Sequence, residues 1–465
     1  MNKGVVQISC SLITKNEDFP FQNGSISKVY GTGFIFSKDK SLVLTCAHCV
    51  EDCVQINVKI PSLNEKQYEA KVVSICHLYD IALIKILDFK EKNIVNFPIN
   101  KNGLNKIKAG DKVQVYGYPL GFSNIKITEG IVSGHQFSQY QVDCPVNGGN
   151  SGGPLIHDNK IVGIVSSKFL FAENTSFVIP IERFLNIETI MKKKKLVFPP
   201  DQFGFCLQKN PYNENSAYIF HIIPETLIEK SKPKIKNGDI LLQLGKYKVN
   251  FDETIKKKWL NENETFQNFL FSLKPNTKIP FQIKRNKKII KGYIPIHEMK
   301  PKLSHPIYPI DTLEYCMVGG MIICTMSYNV FQKSIRSLFT NFISSTIRLS
   351  YLDFLRIFHY FEKLKNSSEK NILVIVNILQ GSESEDYFSS GDILEKVNDK
   401  PISSLHSLVN MVYKNKNIKK LNFETNLGKK YIVTKEDIMK ETLEVGEKYD
   451  IKEMYNLKKK KSFKK

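Results

Sequence analysis

The chain is predicted to be mainly β, with a double β-barrel through residue 190 or so and two α+β modules after it. Three observations carry this. Short apolar runs punctuated by turns recur from the first residues to about residue 190, a spacing that suits barrels rather than helices. Pro199-Pro200 then breaks the chain. Beyond it, Asn237-Gly238-Asp239-Ile240-Leu241 and Ser390-Gly391-Asp392-Ile393-Leu394 repeat one pattern, two copies of a binding module rather than a solenoid.

In chain order the strand candidates are Val5–Ile8, Gly33–Phe36, Leu42–Thr45, Val54–Ile60, Ala82–Ile86, Val113–Tyr116, Gly130–Gly134, Ile161–Ser166 and Ser176–Ile179. They are rich in β-branched residues and bounded by Gly, Asn, Asp or Pro, which favour turns. A helix over Pro180–Met191 ends in Lys192-Lys193-Lys194-Lys195, a charged run that suits a solvated link. Each Gly-Asp turn follows an apolar strand, Ala217–Ile223 in the first copy and Ile372–Leu379 in the second. The expected domains are 1–197, 198–300 and 301–446, with a basic tail over 447–465.

At 465 residues, 42% apolar and 24% charged, the chain can bury several cores and is not a disordered polyelectrolyte. Its net charge of +21 comes largely from lysine spread along the chain, which points away from nucleic acid as a partner. The denser tail, Lys458 to Lys461 with Lys464 and Lys465, reads as a frayed end or as a nuclear address. No stretch reaches the ~18 apolar residues of a membrane span, so no membrane partner is expected. The first strand begins near Val5, which leaves no room for a signal peptide. The expected location is cytoplasmic or nuclear, or organellar if a presequence lies upstream. Nine cysteines without a pairing pattern suit a reducing compartment.

The chemistry lies in three separated motifs. Gly149-Asn150-Ser151-Gly152-Gly153-Pro154 puts a serine on a glycine turn, Thr45-Cys46-Ala47-His48-Cys49 holds a histidine, and Asp80 opens the run Ile81-Ala82-Leu83. The order His, Asp, Ser is that of chymotrypsin and not of subtilisin or the α/β-hydrolases. A serine hydroxyl needs a neighbouring base, which His48 supplies with a pKa ordinarily near ~6.5. Asp80 then fixes the imidazole tautomer and stabilises the imidazolium. The loop of Gly149, Asn150 and Ser151 aims backbone N–H groups, those of Gly149 and Ser151 foremost, at the developing oxyanion. A second reading takes Cys46, His48, Cys49 and Cys53 as zinc ligands, but zinc would occupy the histidine that the triad needs. Neither a metal nor any other cofactor is therefore expected.

These motifs, with Gly31-Thr32-Gly33-Phe34, Gly117-Tyr118-Pro119-Leu120-Gly121 and Thr128-Glu129-Gly130-Ile131-Val132-Ser133-Gly134, resemble the Deg/HtrA serine proteases. The later part resembles the two PDZ domains of the plant-type Deg branch. The resemblance implies a chymotrypsin-like double barrel followed by PDZ domains. It also implies an ATP-independent endopeptidase acting on unfolded or damaged proteins, assembled from trimers. Phe203-Gly204-Phe205 is the candidate peptide-capturing loop of the first PDZ domain. The chain departs from the family at Asn147-Gly148-Gly149-Asn150, where Asn-Pro-Gly-Asn is usual. It also has a shorter stretch than usual between Gly134 and Gln141.

By the same resemblance the primary specificity pocket has its base near Pro145 and its wall at Val165-Ser166-Ser167. No acid stands there, so cleavage is expected after small or medium aliphatic residues. A weakly active or inactive protease-fold scaffold that binds peptides remains the second functional reading.

Overall fold

The computed structural model describes the chain outside residues 1–3, 15, 17, 23–24, 37–40, 61–65, 91–96, 101–106, 137–138, 169–174, 211–212, 251, 256–263, 300–312, 328–371 and 458–465. The lysine-rich end of the tail lies outside the described residues. The chain divides into two compact units, Met1–Leu12 with Ser27–Lys300, and Ile13–Ile26 with Pro301–Lys465.

The first unit begins with two closed barrels of six strands each. Strands β1 (Val5–Thr14), β2 (Ser25–Ile35), β3 (Leu42–Thr45), β4 (Cys53–Ile60), β5 (Lys66–Cys76) and β6 (Ile81–Ile86) close in the order β1-β2-β3-β6-β5-β4. Strands β7 (Lys112–Gly117), β8 (Lys126–Gln136), β9 (Gln139–Val142), β10 (Pro154–His157), β11 (Lys160–Lys168) and β12 (Ser176–Pro180) close as β10-β11-β12-β9-β8-β7. Closure leaves no sheet edge. The alternation of side chains fills the first barrel with Val6, Ile8, Val58, Leu83 and Ile84, and the second with Val113, Val132, Val142 and Leu155. Helix α1 (Ile181–Met191) follows, burying Ile181, Phe184, Ile187 and Met191, while Arg183 is buried beside them. The double-barrel class expected from the spacing is the one found.

The rest of this unit is a sheet of β13 (Phe205–Asn210), β14 (Asn213–Ile222), β15 (Ile240–Leu244), β16 (Tyr247–Lys248), β19 (Thr277–Arg285) and β20 (Lys288–Ile296). The ribbon β17 (Thr254–Ile255) and β18 (Glu264–Thr265) and helix α2 (Phe266–Phe271) lie between β16 and β19 in sequence. Thr265 caps α2 by accepting the Asn268 N–H.

The second unit holds β21 (Tyr315–Val318), β22 (Met321–Thr325), β23 (Leu373–Ile378), β24 (Ile393–Val397), β25 (Lys400–Pro401), β26 (Lys420–Thr425), β27 (Lys430–Thr434) and β28 (Tyr455–Asn456). The sheet runs β27-β26-β24-β23-β22-β21-β28, with helices α3 (Leu405–Val409) and α4 (Lys435–Lys448). Because β28 pairs with β21, this domain reaches Asn456. The end at 446 expected from sequence is too early, since the strand after α4 is too short to announce itself.

The repeat is structural. In each copy the glycine before the aspartate donates its N–H to the preceding strand: Gly238 to Ile219 O and Gly391 to Ile375 O, both 2.7 Å. In each, the aspartate is buried against a cation, Asp239 with Arg285 at 2.6 Å and Asp392 with Lys429 at 2.8 Å. A carboxylate that loses its water is tolerable only when paired and hydrogen-bonded. The Lys236 and Ser389 N–H groups complete the pairing. Among the described residues no helix is long and apolar enough to cross a membrane.

Candidate active site

His48 sits on a single 3-10 turn, Ala47–Cys49, directly after β3. Asp80 ends the turn that feeds β6 and has φ +53, a left-handed conformation that aspartate tolerates better than most residues. β3 and β6 pair through Thr45 and Ala82, which sets the two motifs side by side although 32 positions separate them. His48 Nδ1 lies 2.8 Å from Asp80 Oδ2, and the His48 N–H donates to Asp80 Oδ1 at 3.0 Å. The imidazole is about half exposed and the carboxylate largely covered.

Asp80 has a third partner. The Ser166 hydroxyl donates to Oδ2 at 2.7 Å. Burial works to raise the Asp80 pKa, but the hydrogen bonds from His48 and Ser166 outweigh it and hold the carboxyl below its ordinary range. For His48, burial favours the neutral ring, yet the Asp80 hydrogen bond and the adjacent Cys49 raise its pKa well above the usual value.

Ser151 lies on the other barrel and reaches this cluster through the same Ser166, whose carbonyl accepts the Ser151 hydroxyl at 2.9 Å. A hydroxyl has one proton to give. In this arrangement it goes to Ser166, not to His48. The glycine turn is held from beneath by Thr32, which donates its hydroxyl to Gly149 O at 2.7 Å, accepts the Tyr118 N–H, and gives its own N–H to Ser151 O at 2.8 Å. Gly149 and Gly152 have φ of +98 and +85. Leu120 N–H holds the Gly148 carbonyl at 2.6 Å. The Asn150 side chain packs against Gly117, where a Cβ would collide with it.

The structure thus joins His48, Asp80 and Ser151 around Ser166 and keeps Gly149 and Asn150 in the serine loop. Pro145 is exposed, and the Val165 side chain is buried in the second barrel core, since alternation along β11 turns it inward. Val165 serves the site by its carbonyl, which accepts the Gly152 N–H at 2.7 Å. Ser166 faces the His48–Asp80–Ser151 cluster, and the Ser167 side chain lies outside the described residues. Sequence reasoning missed Thr32 as the brace of the loop and Ser166 as the partner of Asp80. Its place between two glycines of β2 marked the first only faintly.

In the module after Pro200, Phe203 and Phe205 are buried and their rings stack at 5.9 Å. The Gly204 carbonyl accepts Ile223 N–H at 2.8 Å. The loop is therefore packed into the module at the start of β13.

Cys46, His48 and Asp80 place potential ligand atoms within 4.8 Å of one another. Cys46 is fully buried with its thiol donating to Val165 O at 3.2 Å, and burial followed by the Asp80 charge raises its pKa. Any cation would have to deprotonate that thiol and break the His48–Asp80 hydrogen bond, and Cys53 is not in this group.

Cys49 lies against Gly31, where a Cβ would stand 3.1 Å from its Sγ and 3.4 Å from its Cβ. That approaches disulfide spacing. Gly31 is thus a position that faces Cys49. Gly31→Cys is expected to close a bridge to Cys49 worth about 3 kcal/mol, read as a loss of titratable thiol and a raised denaturant midpoint that reductant reverses.

Comparison with known proteins agrees with this geometry. Residues 31–164 match the trypsin-like peptidase domain and residues 309–456 match the PDZ domain. The chain is 31% identical over 188 residues to a serine protease DegP homolog of Plasmodium falciparum, covering 38% of this chain and 21% of that one. It is 28% identical over 331 residues to the mitochondrial protease Do-like 4 of Arabidopsis thaliana, with 65% and 60% covered. It is 29% identical over 297 residues to serine protease HTRA1 of Xenopus tropicalis, with 57% and 61% covered. The chain spans less than two thirds of each of these relatives. The chain thus carries a trypsin-like peptidase domain followed by a PDZ domain, and it is similar to HtrA and Do-like serine proteases.

Proposed function

We propose that the chain is a Deg/HtrA-type serine endopeptidase that cuts unfolded or damaged polypeptides through an acyl-enzyme on Ser151, without nucleotide. The observation that carries this reading is the His48 Nδ1–Asp80 Oδ2 pair at 2.8 Å, joined to Ser151 through Ser166. In the working enzyme the Ser151 hydroxyl leaves the Ser166 carbonyl and gives its proton to His48 Nε2 as Oγ attacks the scissile carbonyl. Asp80 stabilises the imidazolium, which then protonates the leaving amine. The Gly149 and Ser151 N–H groups receive the oxyanion. Two PDZ modules, 198–300 and the domain ending at Asn456, bind extended peptide segments, and the chain assembles from trimers, which light scattering checks.

A fluorophosphonate probe tests the reading, because it reacts only with an activated serine. The chain should label and Ser151→Ala should not. The scaffold reading draws on the Ser151 proton committed to Ser166 and on the raised His48 pKa. No labelling even with unfolded casein present would decide for it. Sequencing the casein cuts tests specificity. Cleavage after Val, Ala or Leu is expected, and a dominant Lys or Arg pattern refutes the proposed pocket.

A further inference from the structure

In the 198–300 module, β13 is the edge of its sheet and, among the described residues, pairs only with β14. Outward amides on such an edge are where an added peptide strand would hydrogen-bond. Leu207 carries one. Its neighbour across the ladder, Ile219, sends its own N–H the other way, to Asp239 O at 2.8 Å. The two residues therefore form a pair that does not exchange hydrogen bonds, and the Leu207 N–H points away from β14. Glu253 takes it, with N to Oε1 at 3.0 Å.

Glu253 is held in place from the helix side. Its carbonyl accepts the Phe266 N–H at 2.9 Å where α2 begins, and its backbone has φ +60. Phe266 packs against Phe205 at 5.6 Å and Phe203 at 6.2 Å between ring centroids. Helix start, strand edge and the Phe203-Gly204-Phe205 loop thus pack into one buried aromatic cluster, and the Glu253 carboxylate sits on the edge amide beside it.

We propose that Glu253 stands in for a peptide carbonyl and gates this sheet edge, so that a ligand must displace the carboxylate before it can add to β13. The proposal rests on reading the module as a peptide binder and names how that site is regulated. An ionised carboxylate only accepts hydrogen bonds, so it satisfies the same donor that a peptide backbone would. The ligand it admits is an extended peptide that pairs with β13 through its backbone. An acidic residue opposite Glu253 is excluded, because two carboxylates at close range repel.

The test uses the full chain carrying Ser151→Ala, so that the probe is not cut. A dye-labelled peptide, Ser-Gly-Thr-Tyr-Val-Phe with a free carboxylate, is titrated by fluorescence anisotropy. Glu253→Ala should bind it about tenfold more tightly than the parent, the effect of releasing one hydrogen bond to a charged acceptor. Glu253→Asp keeps the charge but falls a methylene short, and should give the same gain in a fully folded chain. Adding Leu207→Pro to either variant removes the edge donor itself, which an edge strand tolerates, and should remove the gain while the melting temperature stays near that of the parent. Equal affinities in the parent and both variants overturn the gate while leaving peptide binding intact. Binding by none of them overturns the peptide-binder reading and the gate together.

Discussion

Asp80→Asn is expected to lower the rate of acylation about 10⁴-fold at neutral pH, with little change in the folded state. The amide can still accept a hydrogen bond, so the turn at Asp80 and the Ser166 contact survive. It can also present N–H to His48, which favours the tautomer that cannot accept the Ser151 proton. The pH profile gives an independent signature. Asp80 raises the His48 pKa, so the neutral imidazole needed as base forms only as pH rises. The wild-type labelling rate should therefore climb through the alkaline range. Removing the negative charge lowers the His48 pKa, and the climb should move to lower pH in Asp80→Asn even as its plateau falls. Stopped labelling assays between pH 5 and pH 10 read both features. A tenfold loss with an unmoved limb would mean that Asp80 is only structural.

Gly152→Ala is expected to have the largest effect on stability, a loss of at least about 3 kcal/mol. Two costs combine. The backbone there has φ +85, a region that costs an L side chain roughly 1–2 kcal/mol. A Cβ would also overlap the Thr32 carbonyl and the Thr45 hydroxyl. Those atoms cannot retreat, since Thr45 Oγ1 donates to Thr32 O at 2.8 Å and both residues are fully buried. The melting temperature should fall by roughly 6–12 °C, and labelling of Ser151 should vanish with the displaced loop. Gly148→Ala is the contrast. Nothing lies within 4 Å of its Cβ position, so thermal stability should be unchanged. If the two glycines behave alike, the loop is not braced as described.

Much of the peptidase half was legible because its signals are local. Strands such as Leu42–Thr45 and Ile81–Ile86 are short apolar runs buried along most of their length. The strand Lys66–Cys76 was not read, because its first half alternates exposed and buried residues and puts Lys, Gln and Glu on the outward face. Gln139–Val142 was missed as well, being four residues long with only Tyr140 and Val142 turned inward. The Gly-Asp repeat could be read as a pattern, yet its meaning lay in Arg285 and Lys429. Nothing near either aspartate in sequence marks those cations as partners.

The order of His48, Asp80 and Ser151, the barrel spacing and the doubled Gly-Asp turn were fixed by residues that specify their own backbone: glycines for tight turns, β-branched runs for strands, an aspartate tolerant of φ +53. Which groups hold which was left to tertiary structure. Ser166 bridging Asp80 and Ser151, Thr32 supporting the Ser151 loop, and Glu253 seated on Leu207 all join residues 15 to 117 positions apart. A hydrogen bond between distant segments depends on barrel closure and register, and no local pattern of residue types encodes either one.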